Sequence, residues 1–385
     1  VTVESNQPIL VSIVPNLLGG EGHIIDYHKS VAQAANLLGW EHCVVCVPDA
    51  KVKELPDNWY GELRGGDLEA EGNLWEKLTR VRQSLQLGHS IAEFIKGQIA
   101  TQSRPTIIFL ERFIHLQLFS LAIALLLLPR QNLSVWILYR RDTHRSKTRW
   151  IYKGLNKLIK TLLPPQQFHL LADSEPLGES LSNYFEETVT VMPIPHTDIT
   201  HRDRFPRKNN EIICWWSGPP REEKGWEVIK QLASYSSSLP QKICIVAAQS
   251  SKLGECQGSI AIRLVEDNLA RSDYLKWMNT CDFILLPYDS VAYRERTSGI
   301  FTECIIAGKT PLVTAKTWMA KELSKYDLKE SILSWDDLSE IIQKIVFIEN
   351  NSESKKKLYL MQQEYLALHN LKSYAKTMQE IGRFW

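Results

Sequence analysis

At 385 residues the chain exceeds what a single hydrophobic core usually serves, so two domains are expected. Its apolar fraction is 44%, its charged fraction 23% and its net charge +1. That is the make-up of an ordinary globular protein, and it excludes a whole-molecule field that would steer the chain to nucleic acid. Residues 8–15, PILVSIVP, are a short apolar run bounded by turn residues and read as a buried strand. Residues 25–39 have helical spacing and a terminal glycine. HCVVCVP is the next strand. Its Cys43 and Cys46 form a C-x-x-C with no second cysteine pair or histidine cluster to make a metal or redox site.

After a poorly patterned stretch, 49–75, a helix runs through WEKLTRVRQSL. Strand TIIFLE, an apolar helix, strand SVWILYR, a basic helix, and strands FHLLAD and VTVMPIP complete the first half. The apolar run from His115 to Pro129 falls short of the roughly 20 residues of a spanning helix. A helix buried in an α/β layer suits it better. The polar stretch 197–210 reads as a linker. The alternation then restarts: EIICWWSG strand, EKGWEVIKQLASY helix, KICIVAA and IAIRLVE strands, SDYLKWMNTC helix, DFILLPY strand, SGIFTECIIAG helix, TPLVTA strand, and an amphipathic helical tail from Asn350. The expected fold class is α/β: two Rossmann-like domains, 1–200 and 201–385, facing across a cleft. The C-terminal helices would close the fold, the last placed to pack back on the first domain.

Three loops have residue types suited to ligands. Gly19, Gly20 and Gly22 precede His23 after the first strand, where they permit a close backbone approach; a merely flexible turn fits them too. In the second half, Ser217-Gly-Pro-Pro-Arg-Glu-Glu-Lys-Gly225 follows a strand and opens a helix. Gly218 lets backbone approach a ligand, and Arg221 and Lys224 bring two cations to a helix start that already favours an anion. A diphosphate would account for them; a solvated turn with Glu222 and Glu223 as partners is the alternative. The third loop, Pro287 to Ser298, leads into a helix with Thr297 or Ser298 as N-cap. Gly299 and Ile300 sit at the amide-rich start of that helix, and Glu303 lies inside it among apolar neighbours. A partly buried carboxylate needs a partner, and ribose hydroxyls would serve.

In these last two loops the chain resembles the retaining nucleotide-sugar glycosyltransferases of the two-Rossmann GT-B class, the group 1 or family 4-like enzymes. The motifs are the strand–G-x-x-x-x-x-K-G–helix of Gly218–Gly225, the acid-x7-acid pair Glu295 and Glu303, and the Gly-Lys-x-Pro-Leu-Val segment ending at Val313. Together they cover most of residues 211–315. The sequence departs from the pattern at Pro219, where the family often has Arg, and at Gly299, four residues after Glu295 rather than three. Where the family places a histidine after the strand at 135–139, this chain has Arg140, Arg141 and Asp142.

The resemblance implies a hexosyltransferase, retaining and independent of metal or cofactor, that uses a nucleotide-sugar donor, UDP- or GDP-linked. Lys224, Arg221 and Glu295 would act at the diphosphate and sugar; Gly218, Ser298, Gly299, Ile300 and Glu303 would hold the nucleotide. The acceptor, a saccharide or glycolipid, would meet Gly19, Gly20, Gly22, His23 and Arg140 in the first domain. A sugar-nucleotide epimerase, a nucleotide-sugar-binding pseudoenzyme and a ligand-free scaffold are the rival readings. From Arg140 to Lys160 eight Lys or Arg face one acid, Asp142, on a segment with an apolar helical stripe. This suggests an anionic membrane surface as a partner and a cytoplasmic, peripherally bound location. A surface helix packed on its sheet is the alternative.

Overall fold

The computed structural model describes residues 7–15, 23–48, 54–65, 68, 74–101, 104–195, 203–206, 211–255 and 258–384. The glycines of the first loop, Gly19, Gly20 and Gly22, lie outside them, as does the side chain of His23. The chain forms two compact units, Val1–His196 with Leu371–Trp385, and Thr197–Asn370.

In the first unit, strands β1 (Ile9–Val14), β2 (Glu41–Cys46), β3 (Trp59–Tyr60), β4 (Thr106–Glu111), β5 (Leu133–Tyr139), β6 (Phe168–Ala172) and β7 (Val189–Val191) form one sheet in the order β3-β2-β1-β4-β5-β6-β7. Every pairing is parallel. A parallel sheet needs crossover helices, which cover both faces. They are α1 (His23–Leu37), α2 (Leu74–Thr101), α3 (His115–Leu127), α4 (Arg149–Leu162) and α5 (Glu175–Phe185), and the last helix of the chain, α12 (Leu371–Ile381), joins them against α1. β3 and α5 are elements the sequence pattern did not reveal. β3 is only two residues long, and α5 depends on a local cap, the Ser174 hydroxyl accepting from the Leu177 amide. The apolar run is a helix with seven side chains buried, and no described helix is long and apolar enough to cross a membrane.

The second unit repeats the plan. Strands β8 (Glu211–Trp215), β9 (Lys242–Ala248), β10 (Ala261–Val265), β11 (Phe283–Leu286), β12 (Thr310–Thr314) and β13 (Ile332–Leu333) stand in the order β10-β9-β8-β11-β12-β13, all parallel. Helices α6 (Trp226–Ala233), α7 (Arg271–Thr280), α8 (Gly299–Ile306), α9 (Trp318–Lys325), α10 (Leu338–Asn350) and α11 (Ser352–Leu368) cover it. The helical tail from Asn350 is two helices, α11 in the second unit and α12 in the first. The order of strands reverses between β1 and β4 in one sheet and between β8 and β11 in the other. In open α/β sheets the crevice at the carboxyl ends of such neighbours is where ligands bind.

Candidate functional site

Both loops singled out in the second half start at that reversal, one after β8 and the other after β11. The first leaves the sheet through buried Trp216, turns at Gly218 (φ +86°) and forms one 3-10 turn, Glu222–Lys224. Gly225 follows in the left-handed conformation (φ +75°), and α6 begins only at Trp226. Arg221 and Lys224 stand on the turn immediately before α6, Lys224 next to its N-cap Gly225. A Cβ on Gly225 would fall 2.1 Å from the Pro287 carbonyl oxygen, so only glycine lets the two loops meet. The contact is tied by the Asp289 amide donating to the Glu223 carbonyl at 2.9 Å, and the first loop is braced internally by the Trp216 indole N–H donating to the Lys224 carbonyl at 3.1 Å.

Their junction gathers the predicted residues. The Lys224 ammonium lies 5.9 Å from the centre of the Tyr288 ring, and 3.7 Å from where a side chain would start on Gly218. Burial raises the Tyr288 phenol well above its usual pKa, while its hydrogen bond to Ser298 and the charges of Arg296 and Arg221 pull the other way. Ser298, rather than Thr297, caps α8: its hydroxyl accepts from the Phe301 amide at 3.4 Å. Gly299 and Ile300 form the half-buried first turn. Gly218, Arg221, Lys224, Tyr288 and Ser298 therefore lie around one point. Cations, a turn of accessible backbone and a helix N-terminus suit an oxyanion there. Glu295 is buried on the loop just before α8.

Glu303 is also buried, but it has protein partners. One carboxylate oxygen is 2.9 Å from an Arg271 guanidinium nitrogen, and the other accepts a hydrogen bond from Tyr274. A ligand is thus not needed to satisfy it, which corrects the inference drawn from its apolar neighbours. Burial, and then Glu303, push the Tyr274 phenol far up. Arg271 is 41% exposed, so its contact can exchange with solvent. Sequence periodicity could not pair Glu303 with α7, because the two helices are brought together only by the sheet.

In the first unit, Arg140 follows β5 and Glu111 ends β4. The Arg140 Nε lies 2.9 Å from a Glu111 oxygen, and its guanidinium stacks 4.1 Å from the centre of the Tyr27 ring. His28 on α1 stands 3.3 Å from the other Glu111 oxygen. Tyr27 meets the Tyr374 hydroxyl of α12 at 2.8 Å, and His42 meets the Ser12 hydroxyl at 2.9 Å. Burial alone would raise the Glu111 pKa, yet Arg140 and His28 hold it down to about 2. For Arg140 burial works downward, but Glu111, Tyr27 and Asp173 raise it on balance. Burial and the neighbouring His28 lower His42 to about 3, so it is a neutral ring at physiological pH. Of this network the sequence singled out only Arg140; a lone Glu closing the apolar run TIIFLE was the available hint.

On α4, Tyr152, Leu155 and Ile159 are buried in the unit, so much of the apolar stripe packs inward. Lys153 and Lys160 pair with Glu186 and Glu187 at 2.8 and 2.6 Å. Only Trp150 and Leu158 of the stripe are exposed. No group of three or more His, Cys, Asp or Glu side chains placed to hold a metal occurs among the described residues.

No family model matches the chain, and no curated protein matches it. Solved structures do. A glycosyltransferase from Rickettsia africae aligns with TM-score 0.67 at 15% identity, over 99% of this chain and 100% of that one. Sucrose-phosphate synthase from Thermosynechococcus elongatus gives 0.64 at 15%, over 98% of each chain. HepE from Anabaena, solved in complex with UDP, gives 0.61 at 11%, over 98% and 100%. The fold is GT-B, two Rossmann-like units in one chain, matched end to end.

Proposed function

We propose that the protein is a glycosyltransferase that moves a hexose from a nucleotide-sugar donor to an acceptor hydroxyl. The observation that carries this reading is the convergence of Gly218, Arg221 and Lys224 with Tyr288 and the Ser298 cap at the reversal point of the second sheet. The UDP held by HepE fits the same chemistry. The donor diphosphate lies on these two loops, Gly299 and Ile300 offer backbone amides to it, and Glu303 takes the ribose by exchanging Arg271 while keeping Tyr274. Glu295 contacts the donor sugar. UDP- and GDP-sugars are the donors to test first.

The anomeric carbon–oxygen bond breaks with its electron pair passing to the diphosphate. The acceptor oxygen bonds the same carbon as its proton passes to an oxygen of the departing diphosphate. Lys224 and Arg221 are aimed at the charge growing on the leaving group, where a preorganised donor is worth about 3–4 kcal/mol. In this reading no metal or cofactor takes part and the anomeric configuration is retained. The acceptor, a saccharide or glycolipid, meets the first unit near Arg140. Peripheral membrane contact then rests on Trp150 and Leu158 with exposed Arg145, Lys147, Arg149 and Lys157, a smaller basic surface than the sequence suggests.

The experiment is proton NMR of purified protein with UDP- and GDP-hexoses and a fractionated cell extract. Release of nucleoside diphosphate in step with an α-glycoside from an α-linked donor supports the reading. A new sugar nucleotide without nucleotide release would make it an epimerase. Donor binding without consumption would make it a binding protein.

A further inference from the structure

We infer that Tyr288 is the positioning residue of the second unit's loop site. Its ring holds the Lys224 ammonium and its hydroxyl holds the start of α8, so one side chain aligns both halves of the site. This rests on the glycosyltransferase reading and adds to it how the groups facing the diphosphate are aimed.

Tyr288 directly follows Pro287, the residue on which the two loops meet, and is only 3% exposed. Packing alone does not ask for a tyrosine there. A phenylalanine would fill the same apolar space, against Tyr293 at 4.5 Å between ring centres, without burying a hydroxyl. That hydroxyl is hydrogen-bonded to Ser298, itself buried, and Ser298 in turn accepts from the Phe301 amide. The Ser298 carbonyl also accepts from the Thr302 amide at 3.2 Å. The first turn of α8 is therefore tied to the end of β11. Its leading amides, Gly299 and Ile300, have no acceptor within the helix and are held in one direction.

The ring acts on the other loop. Lys224 has a flexible stem and stands on a 3-10 turn, so its backbone alone does not fix the ammonium. The centre of the Tyr288 ring lies 5.9 Å from it, within the range where an aromatic face attracts a cation. The contact of Gly225 with Pro287 already locks the two backbones. Tyr288 adds what a backbone contact cannot, the direction of a side chain. A charge aimed before the leaving group departs needs no reorganisation during the reaction.

The test is calorimetry with UDP and GDP on wild type, Tyr288→Phe, Tyr288→Leu, Lys224→Ala, Ser298→Ala and the double variants, with thermal unfolding recorded for each. Tyr288→Phe keeps the ring and should weaken nucleoside diphosphate binding several-fold. Tyr288→Leu removes the ring as well and should weaken it roughly tenfold or more. The further loss from Phe to Leu should vanish when Lys224 is already alanine, and the loss from Tyr to Phe should vanish when Ser298 is already alanine. A residue that only fills the core would give the same losses in every background. Wild-type affinity in Tyr288→Leu, or losses of equal size in all backgrounds, overturns the inference and leaves the donor site standing. Should Tyr288→Leu not fold, the cycle of Tyr288→Phe with Ser298→Ala decides: coupling supports the inference and additivity overturns it. If neither nucleotide binds wild type, the donor reading falls and this inference falls with it.

Discussion

The two sheet reversals are built from different materials. At the second, between β8 and β11, the site is mostly backbone: two loops locked by Gly225 against Pro287, a 3-10 turn and a capped helix start, with Lys224 and Arg221 added. At the first, between β1 and β4, what is described is mostly side chain: Glu111, Arg140, His28, Tyr27 and Tyr374 come from separate parts of the chain and satisfy one another in a buried network. Backbone sites tolerate little change in shape. Side-chain networks tolerate little change in charge. The two regions should therefore fail in different ways.

The largest effect is expected from Gly225→Ala. Its Cβ cannot coexist with the Pro287 carbonyl, so the loops must separate, at a cost of about 3 kcal/mol or more in urea unfolding. Gly39 provides the control in the first unit. It also has positive φ (+71°), but an added methyl there would meet nothing within 4 Å, so Gly39→Ala should cost only about 1 kcal/mol. Equal costs at the two positions would show that the loop contact contributes nothing.

Arg140→Gln breaks charge rather than shape. It leaves Glu111 buried beside His28 without its main counter-charge and should cost about 3 kcal/mol, the lower end for a broken buried pair because Arg140 is 31% exposed. Acid should act on the same network. The unfolded chain protonates His42 near pH 6.5, the folded one only near 3, so the unfolded state binds more protons across that window. Glu111 does the same between about 4.5 and 2. Stability of the first unit should fall as pH drops below about 6.5, and His42→Asn should remove the upper part of that fall. Urea titrations from pH 7 to 4 check this; a His42→Asn curve parallel to wild type would contradict it.

Lys224→Ala should leave both units folded and lower turnover by at least about 100-fold. The smallest effect is expected at Glu303. Glu303→Gln should weaken nucleotide binding by about 2 kcal/mol, as for a hydrogen bond to a charged group. Arg271→Ala should leave affinity equal or tighter if Glu303 takes the ribose as proposed, because Arg271 occupies one of its oxygens. Calorimetry separates these; loss of affinity in Arg271→Ala would make Arg271 a nucleotide contact instead of a competitor.

The same contrast explains what could be read from the sequence. The α/β alternation, both strand-end loops and a cap at Thr297 or Ser298 were legible because they are local: an apolar run, then glycines and a cap within a dozen residues. The position of the break between α11 and α12 was not, since no proline or glycine marks it. Arg271 and Tyr274 were not legible as partners of Glu303, nor Glu111 and His28 as partners of Arg140, because other strands and helices intervene in the chain between them. Arg140 itself was visible only as a departure from a family pattern. On α4, spacing found the apolar stripe, but Glu186 and Glu187, which take up two of its lysines, follow the next helix.

In the proposed reading the second unit holds a nucleoside diphosphate on the loops after β8 and β11. Thermal unfolding of wild type and Lys224→Ala with UDP, GDP and ADP tests it most directly. At least one of them, at about 100 times its dissociation constant, should stabilise wild type by about 2.7 kcal/mol, and Lys224→Ala should lose most of this at the same concentration. No stabilisation of wild type by any of the three, or equal stabilisation of both proteins, would contradict it.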